Sequence, residues 1–224
     1  KFYRQSFAID AHDKGLLDWT YNPLNELNLS NNQTTSTDLR INTGLRYKIG
    51  AGFVVDLHYQ YSKTNSLLEN LNDLQSFYTR NIINQYSSIS PNNQLVRPIP
   101  LGGILDRQRG DAHTQNIRGQ LNYNNQFGEK HRIEALGGYE LSDSRGLSYI
   151  DRTYGYDVEH ATGKLVNYID PFPQYISASN KRIIENRDRT KDLSDRCLSY
   201  FFNGTYTYVN RFMVSGSARI DRSN

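Results

Sequence analysis

Apolar and polar residues alternate one by one along several segments of the chain. In residues 39–49 the even positions carry only polar residues or glycine, and the odd positions carry Leu39, Ile41, Thr43, Leu45, Tyr47 and Ile49. This period of two is typical of a β-strand with one apolar and one polar face. The same alternation recurs in residues 53–62, 114–124, 132–141, 198–208 and 211–220, with exceptions that include Val54, Phe201 and Met213. The pattern therefore predicts six strands.

Three tight turns join these strands in pairs. They fall at Gly50-Ala51-Gly52, around Gly128, and at Val209-Asn210, and such residues between two alternating runs indicate β-hairpins. Strands of about 11 residues, tilted by ~45°, would span on the order of 25 Å, the height of the apolar band of an outer membrane. The predicted fold is therefore all-β, an antiparallel transmembrane β-barrel segment of three hairpins.

The connections between hairpins are much longer than the turns within them. Residues 63–112 and 143–195 connect successive hairpins, whereas connections in compact domains usually have ~4 to 6 residues. Short turns on one side and long loops on the other are typical of outer-membrane barrels. We therefore expect the turns to face the periplasm and the two long connections to be extracellular loops.

Two segments outside the strands have patterns of their own. Residues 1–36 contain Trp19, Pro23 and an Asn-rich run, and they are interpreted as mostly irregular loop leading into the barrel, which would occupy residues 37–224. In the first long loop, apolar residues at three- and four-residue spacing predict an amphipathic helix on the barrel rim. These residues are Leu67, Leu71, Leu74, Tyr78 and Ile82.

Composition is compatible with this prediction and argues against a helical membrane protein. Hydrophobic residues make up 37% of the chain, 17 residues are Tyr, and the mean hydropathy is −0.72. No window approaches the roughly 18 consecutive apolar residues of a membrane helix. A low mean hydropathy does not exclude a barrel, because barrel strands turn one face to water.

Charge and motifs indicate no nucleic-acid binding and no catalysis. The net charge is +3, and the 26 basic and 23 acidic residues are scattered, so no nucleic-acid partner is expected. The five histidines lack ligand spacing and no catalytic or phosphate-binding motif is present, so we expect no enzyme activity, metal or cofactor. The single Cys197 cannot form an intrachain disulfide and is interpreted as an inert small residue;.

Two groups of residues are candidates for contact with a transported molecule. The polar faces of the predicted strands would place charged side chains in a barrel lumen, namely Arg40, Arg46, Asp56, His58, Arg118, Arg132, Glu134, Glu140 and Arg219. The alternative is that these charges are simply solvated or paired with a plug. The second long loop contains rings that could stack on sugars or hold peptide side chains, namely Tyr149, Tyr154, Tyr156, Tyr168, Phe172 and Tyr175;. The alternative here is that the rings fold the loop on itself.

Four segments resemble the SusC/RagA-like TonB-dependent transporters of Bacteroidetes outer membranes. They are Gly15-Leu16-Leu17-Asp18-Trp19-Thr20-Tyr21-Asn22-Pro23-Leu24, Ser76-Phe77-Tyr78-Thr79-Arg80-Asn81, Tyr206-Thr207-Tyr208, and Arg211-Phe212-Met213-Val214-Ser215-Gly216-Ser217-Ala218-Arg219-Ile220-Asp221. The last segment is the most specific. The family commonly continues with Gly-Ser-Ser after that Asp, where this chain has Arg222-Ser223.

The resemblance implies an architecture, a location and partners. Members of this family have a 22-stranded barrel, an internal plug, a TonB-contacting segment and a SusD-like lipoprotein lid. The six predicted strands would then be the middle of such a barrel, in the outer membrane of a Gram-negative bacterium and in contact with its lipid. We expect the plug, the TonB-contacting segment and the other strands to lie outside these residues, in a longer protein. The implied function is TonB-dependent import of oligosaccharides or oligopeptides.

Two other functions share part of the pattern. A non-transporting outer-membrane barrel, such as an adhesin, would have the same alternation but no plug. A soluble β-sandwich that binds carbohydrate would need tight turns at both ends of its strands and a dry core. The deciding expectation is that Leu45, Leu57, Leu121 and Phe202 lie on an exposed apolar belt and not in a protein interior.

Overall fold

The computed structural model of the protein describes residues 3–224, apart from the side chains of Asn28 and Ser30. The helices are α1 (Gln5–Asp13), α2 (Pro23–Leu29) and α3 (Phe77–Tyr86). The strands in chain order are β1 (Ser30–Gly50), β2 (Phe53–Asn72), β3 (Ser88–Ile89), β4 (Leu95–Val96), β5 (Gly103–Phe127), β6 (His131–Tyr156), β7 (Phe172–Gln174), β8 (Ser177–Arg182), β9 (Arg189–Tyr208) and β10 (Phe212–Ser223).

The six long strands form one antiparallel sheet in the order β1-β2-β5-β6-β9-β10. Each long strand is therefore next to its predicted hairpin partner, and successive hairpins are neighbours. In the third hairpin Phe212 pairs with Tyr208 and Ser223 pairs with Cys197. The predicted fold class, an all-β antiparallel segment of three hairpins, is confirmed.

The long strands extend beyond the alternating segments. β2 continues to Asn72, β5 already begins at Gly103, β6 continues to Tyr156, and β9 already begins at Arg189. Parts of residues 63–112 and 143–195 are thus strand and not loop, a correction to the predicted boundaries. Backbone hydrogen bonds require no particular side-chain order, so a strand continues where the alternation has ended. The extracellular position of these two segments stays a prediction.

Two further predictions about the connections need correction. The described part of residues 1–36 contains α1, α2 and the start of β1, so it is not mostly irregular, whereas residues 1 and 2 lie outside the described residues. The predicted helix of the first long loop is present but begins at Phe77, while Leu67 and Leu71 belong to β2. Ser76 sets this start, because its side chain accepts a hydrogen bond from the Thr79 amide as an N-cap does;.

The chain divides into two compact units. The first, here called the helical unit, comprises residues 3–35, 66–109 and 149–190. The second, the sheet unit, comprises residues 36–65, 110–148 and 191–224. All six alternating segments of the sequence fall within the sheet unit, and the three helices fall within the helical unit.

The helical unit has two apolar clusters and is organised around α3. The first cluster is Ile83, Ile99, Ile104, Tyr154 and Ile184, and the second is Ala8, Ala11, Leu16 and Trp19. The Asn84 amide side chain joins α3 to the N-terminal segment, since it accepts from the Leu17 N–H at 2.9 Å and donates to the Leu17 carbonyl at 2.7 Å. The Trp19 indole donates to Asn81 Oδ1 at 3.1 Å. The two-stranded sheets β3–β4 and β7–β8 also belong to this unit.

The sheet unit contains the three tight turns. The Asn124 N–H donates to the Gly52 carbonyl at 2.9 Å, and the Val209 N–H donates to the Lys130 carbonyl at 2.7 Å. These bonds bring each turn next to the following hairpin, so the three turns lie along one edge of the unit. Val209 and Asn210 have φ angles of 52° and 53°, as both central residues of a type I′ hairpin turn require.

Candidate functional site

One face of the sheet unit is apolar and exposed. Leu45 is 64% exposed, Leu57 42%, Leu121 44% and Phe202 54%. Their exposed neighbours in this unit include Leu39, Ile41, Tyr47, Ile49, Ile117, Tyr139, Leu141, Tyr200, Tyr206, Phe212, Val214 and Ile220. A soluble monomer rarely exposes a contiguous apolar patch of more than a few hundred Å². The expectation that the four test residues would not be buried in a protein interior is confirmed.

Tyr139 covers a glycine on this apolar face. A Cβ atom added at Gly119 would lie 2.7 Å from Tyr139 Cε1, so the ring lies directly across the glycine. An aromatic side chain over a glycine shields the exposed backbone of a sheet. This contact explains why glycine stands at an apolar position of the alternation in β5.

The opposite face of the sheet unit carries a hydrogen-bonded polar network. Arg46 Nε donates to Asp56 Oδ1 at 2.6 Å, and Asn122 Nδ2 donates to Asp56 Oδ2 at 2.7 Å. The Asp56 side chain is only 7% exposed, whereas that of Arg46 is 70% exposed. The sheet unit thus has a nearly buried carboxylate on one face and exposed leucines on the other.

The exception Phe201 belongs to this polar face. The Arg118 guanidinium carbon lies 4.6 Å from the centre of the Phe201 ring, within the range of a cation–π contact;. A Cβ atom at Gly138 would lie 2.7 Å from Phe201 Cζ, so the ring occupies the space that the glycine leaves. Phe201 therefore provides a flat surface for an arginine at a position where the pattern predicts a polar residue.

The structure brings most of the predicted lumen residues together in small groups. His58, Arg118 and Glu140 line one cleft of about 400 Å³. Arg46 pairs with Asp56, Arg132 pairs with Glu134, and Arg219 donates to Asp221 Oδ1 at 2.8 Å. Arg40 is exposed on β1 and forms no side-chain hydrogen bond or ion pair with the described residues. Contact of any of these residues with a transported molecule stays a prediction.

The six candidate aromatic residues of the second long loop have different environments. Tyr154 is 2% exposed in the first apolar cluster, and Tyr168 and Phe172 lie against that cluster. Tyr175 lies against the second cluster, at 5.8 Å between ring centres from Trp19. Tyr149 is 47% exposed on β6, and Tyr156 is half-buried at the end of β6. Four of the six rings thus contribute to apolar clusters, and a role in ligand contact stays a prediction for all six.

The helical unit contains a charged cluster around one buried arginine, Arg152, which the sequence pattern does not reveal. The Arg152 side chain is 1% exposed and donates two hydrogen bonds to the Asp106 carboxylate, at 2.6 and 2.7 Å. It also donates to Glu185 Oε2 and to the Tyr78 hydroxyl, both at 3.0 Å. Burial alone would lower the pKa of Arg152, but its hydrogen bond to Asp106 and the contacts with Tyr154 and Tyr78 together outweigh that effect and raise this pKa. Arg152 is therefore a charged group that four hydrogen bonds hold in place.

A neighbouring tyrosine shares this environment. The Tyr154 hydroxyl donates to the Glu185 carbonyl at 3.0 Å, and the Arg152 guanidinium carbon lies 5.8 Å from the centre of the Tyr154 ring. Burial raises the pKa of Tyr154 to about 12, because the phenolate would lose its hydration;. Tyr154 is therefore neutral at physiological pH.

A cleft of about 470 Å³ lies beside this cluster, in the helical unit. Its lining residues are Leu68, Asn70, Asp106, Arg107, Gln108, Ile150, Glu185, Asn186, Arg187 and Arg189. They come from β2, β5, β6, β9 and the segment before β9. No short motif could have identified this cleft, because its residues are far apart in the sequence.

Residues 3–224 contain neither a membrane-crossing helix nor a cluster of metal-ligating side chains. None of the helices combines the length and the apolar character needed to cross a membrane. Over the same residues, His, Cys, Asp and Glu form no group of three or more that could hold a metal ion.

Comparison with known proteins gives matches in structure but not in sequence. Neither a protein-family model nor a curated protein sequence matches the chain. Similar solved structures include the RagAB peptide importer in an open-open state, with a TM-score of 0.62 and 14% identity, and in a closed-closed state, with 0.61 and 15%. A further structure of the RagAB peptide transporter has a TM-score of 0.64 and 14% identity.

These matches define the fold of the chain. Each covers 88% of this chain and 18% of the transporter chain. The chain thus has the fold of part of a β-barrel transporter and spans about a fifth of the length of the chains that it resembles.

Proposed function

We propose that the protein of which these strands are part imports oligopeptides or oligosaccharides across the outer membrane of a Gram-negative bacterium. In this proposal the sheet unit lies in the membrane as part of a barrel, with its apolar face towards lipid and its polar face towards the lumen. TonB would supply the energy, and a SusD-like surface lipoprotein would deliver the cargo. Transport of this kind makes and breaks no covalent bond.

The observation that carries this proposal is the two-sided character of the sheet unit. Residues such as Leu45 and Phe202 are more than half exposed, while Asp56 on the polar face is nearly buried among hydrogen bonds. Such a distribution is unfavourable in water, since each Å² of exposed apolar surface forgoes about 25 cal/mol. It is favourable for barrel strands in a bilayer, which alternate apolar and polar positions.

The similarity to a peptide importer supports transport as the activity. The matched chains belong to RagAB, which is described as a peptide importer. At 14% identity the cargo, the lipoprotein and the dependence on TonB are inferences for this chain, and an oligosaccharide remains the alternative cargo. Peptide is preferred because the similar chains import peptides.

A soluble β-sandwich receives no support from the geometry. In a sandwich, a second sheet would cover the apolar face of the first one. The other two sheets of the described chain are two-stranded, β3–β4 and β7–β8, and both belong to the helical unit. Leu45, Leu57, Leu121 and Phe202 are 42% to 64% exposed, so within the described residues no second sheet covers the apolar face of the sheet unit.

Uptake by whole cells tests the proposed function. Cells with the intact gene, cells without it, and cells without TonB would be given a mixture of fluorescent oligopeptides or fluorescent oligosaccharides. We expect periplasmic fluorescence from one mixture to require both the gene and TonB. Undiminished uptake of both mixtures after deletion of the gene would contradict the proposal. Surface binding without uptake would instead indicate an adhesin.

A further inference from the structure

The cleft beside Arg152 combines fixed charges with a single unbalanced cation. Arg152 and Arg187 both pair with Asp106 and Glu185, at distances of 2.6 to 3.4 Å. Two cations thus balance two anions. The buried Arg152 side chain, 1% exposed, holds the two carboxylates in place from behind the cleft.

The other two arginines of the cleft differ from each other. Arg107 contacts Asp151 Oδ2 at 3.1 Å, so its charge is also balanced. Arg189, at the first position of β9, has no hydrogen bond or ion pair to any residue between 3 and 224. The lining of the cleft therefore has one positive charge without a counterion, and an anionic group would complete the arrangement.

The uncharged lining indicates what kind of molecule carries that anion. Three amide side chains, Asn70, Gln108 and Asn186, can donate to and accept from a peptide backbone;. Leu68 and Ile150 add aliphatic surface. The described lining contains no aromatic ring, and rings are the side chains that suit the flat faces of sugars. This combination favours a peptide over an oligosaccharide.

We propose that this cleft binds the free carboxylate of a short peptide, with Arg189 as the principal contact and Leu68 and Ile150 beside an aliphatic side chain. The inference deepens the proposed function, on which it rests, by naming the chemical feature by which the cargo is recognised. The carboxylate makes charge-assisted hydrogen bonds, which are about twice as strong as neutral ones. The balanced charges around it keep the cleft from attracting cations.

A pair of peptides that differ only in the carboxyl group tests the cleft directly. The purified full-length protein in detergent would be titrated with fluorescein-labelled tetraleucine, once with a free carboxylate and once amidated. We expect the free acid to bind about tenfold more tightly, since a hydrogen bond to a charged group has roughly this effect. Equal affinity for the two peptides would overturn the inference.

Two matched variants locate the effect. Arg189→Gln removes the unbalanced cation, and we expect it to reduce the preference for the free acid from about tenfold to about twofold. Lys181→Gln removes an equal charge from β8 in the same unit, outside the cleft lining, and should leave the preference unchanged. A preference that survives Arg189→Gln, or is lost in both variants, would contradict binding at this cleft. So would tighter binding of a labelled trigalacturonate than of the free-acid peptide.

This experiment separates the two proposals. If cells import peptides through the protein while the acid and the amide bind equally, the cleft inference is wrong and the proposed function stands. If the acid is preferred and Arg189→Gln reduces the preference to about twofold, the cleft inference holds. Uptake that is independent of the gene would then refute the proposed transport without refuting the cleft inference.

Discussion

The two units of this chain distribute their apolar side chains in opposite ways. Among the described residues, all the buried apolar side chains belong to the helical unit: Ala8, Ala11, Leu16, Trp19, Ile83, Ile99, Ile104, Leu105, Tyr154 and Ile184. In the sheet unit the large apolar side chains are partly or largely exposed, and the buried side chains include Asp56 and Ser199. The helical unit thus has an apolar interior, as proteins in water have. The sheet unit exposes its apolar side chains, the distribution expected if, as we propose, this face contacts lipid;.

A single strand illustrates the change. β6 contributes Leu141, 39% exposed, to the sheet unit and Tyr154, 2% exposed, to the helical unit. Backbone hydrogen bonding is continuous along the strand, so secondary structure does not distinguish its two parts. The difference lies in what surrounds the side chains: protein for Tyr154, and lipid, in our proposal, for Leu141.

The largest expected effect concerns the buried charge of the helical unit. Arg152→Met should lower the free energy of unfolding of this unit by about 3 kcal/mol, because the Asp106 carboxylate, 16% exposed, loses its two closest charge-assisted hydrogen bonds and keeps only the longer contact with Arg187;. The measurement is the rate of thermolysin cleavage within the helical unit at increasing urea concentrations, which reports the opening of that unit.

The control for this variant is another arginine of the same unit. Arg107→Met breaks the pair with Asp151, whose side chain is 35% exposed, and should cost less than about 1 kcal/mol;. Equal resistance of the two variants to cleavage would show that burial of Arg152 contributes little, and that the helical unit does not depend on a fixed charged cluster.

The next effect concerns the apolar face of the sheet unit. Leu57→Arg places a charge on the surface that we assign to lipid, and it should destabilise the protein in phospholipid vesicles by about 2–4 kcal/mol near the bilayer midplane. Gln60→Arg adds the same side chain to the polar face of the same strand and should cost less than about 1 kcal/mol. Guanidinium unfolding in vesicles measures both. If the two variants were equally stable, the lipid-facing assignment would fail.

The sheet unit could largely be predicted from the sequence, for a physical reason. A strand between lipid and water must alternate in polarity at every position, so single residues such as Leu45 and Arg46 already indicate which face they occupy;. The turns at Gly50-Ala51-Gly52 and Val209-Asn210 could be predicted because a positive φ restricts the residue types;. Phe201 broke the rule, because its contacts with Gly138 and Arg118 come from neighbouring strands.

The helical unit could not be predicted in the same way, because distant contacts determine its structure. Asp106 and Glu185 are 46 and 33 residues away from Arg152. Pairing of β5 with β6 brings Asp106 to Arg152, and the segment before β9 supplies Glu185. The extensions of β2 and β5 do not follow the alternation, since their side chains contact other parts of the protein. One local signal was present: Ser76, three residues before Thr79, marks the start of α3.

The smallest expected effect concerns the hydroxyl group of Tyr154. Tyr154→Phe keeps the ring in the first apolar cluster but loses the hydrogen bond to the Glu185 carbonyl, so it should lower the stability of the helical unit by about 1 kcal/mol at neutral pH;. Thermolysin cleavage under urea measures this difference, and Tyr149→Phe, at an exposed position, is the control and should change it little.

The effect of Tyr154→Phe should also depend on pH. The pKa of Tyr154 is raised by burial from about 10 to about 12 in the folded protein. The neutral hydroxyl therefore stabilises the fold fully below pH 10, and this contribution is lost as the pH rises towards 12. Phenylalanine does not titrate, so the advantage of the native protein over the variant should shrink between pH 10 and pH 12. If the difference in stability between the native protein and Tyr154→Phe stayed constant over this interval, the hydroxyl would be hydrated, and water would reach the interior of the helical unit at Tyr154.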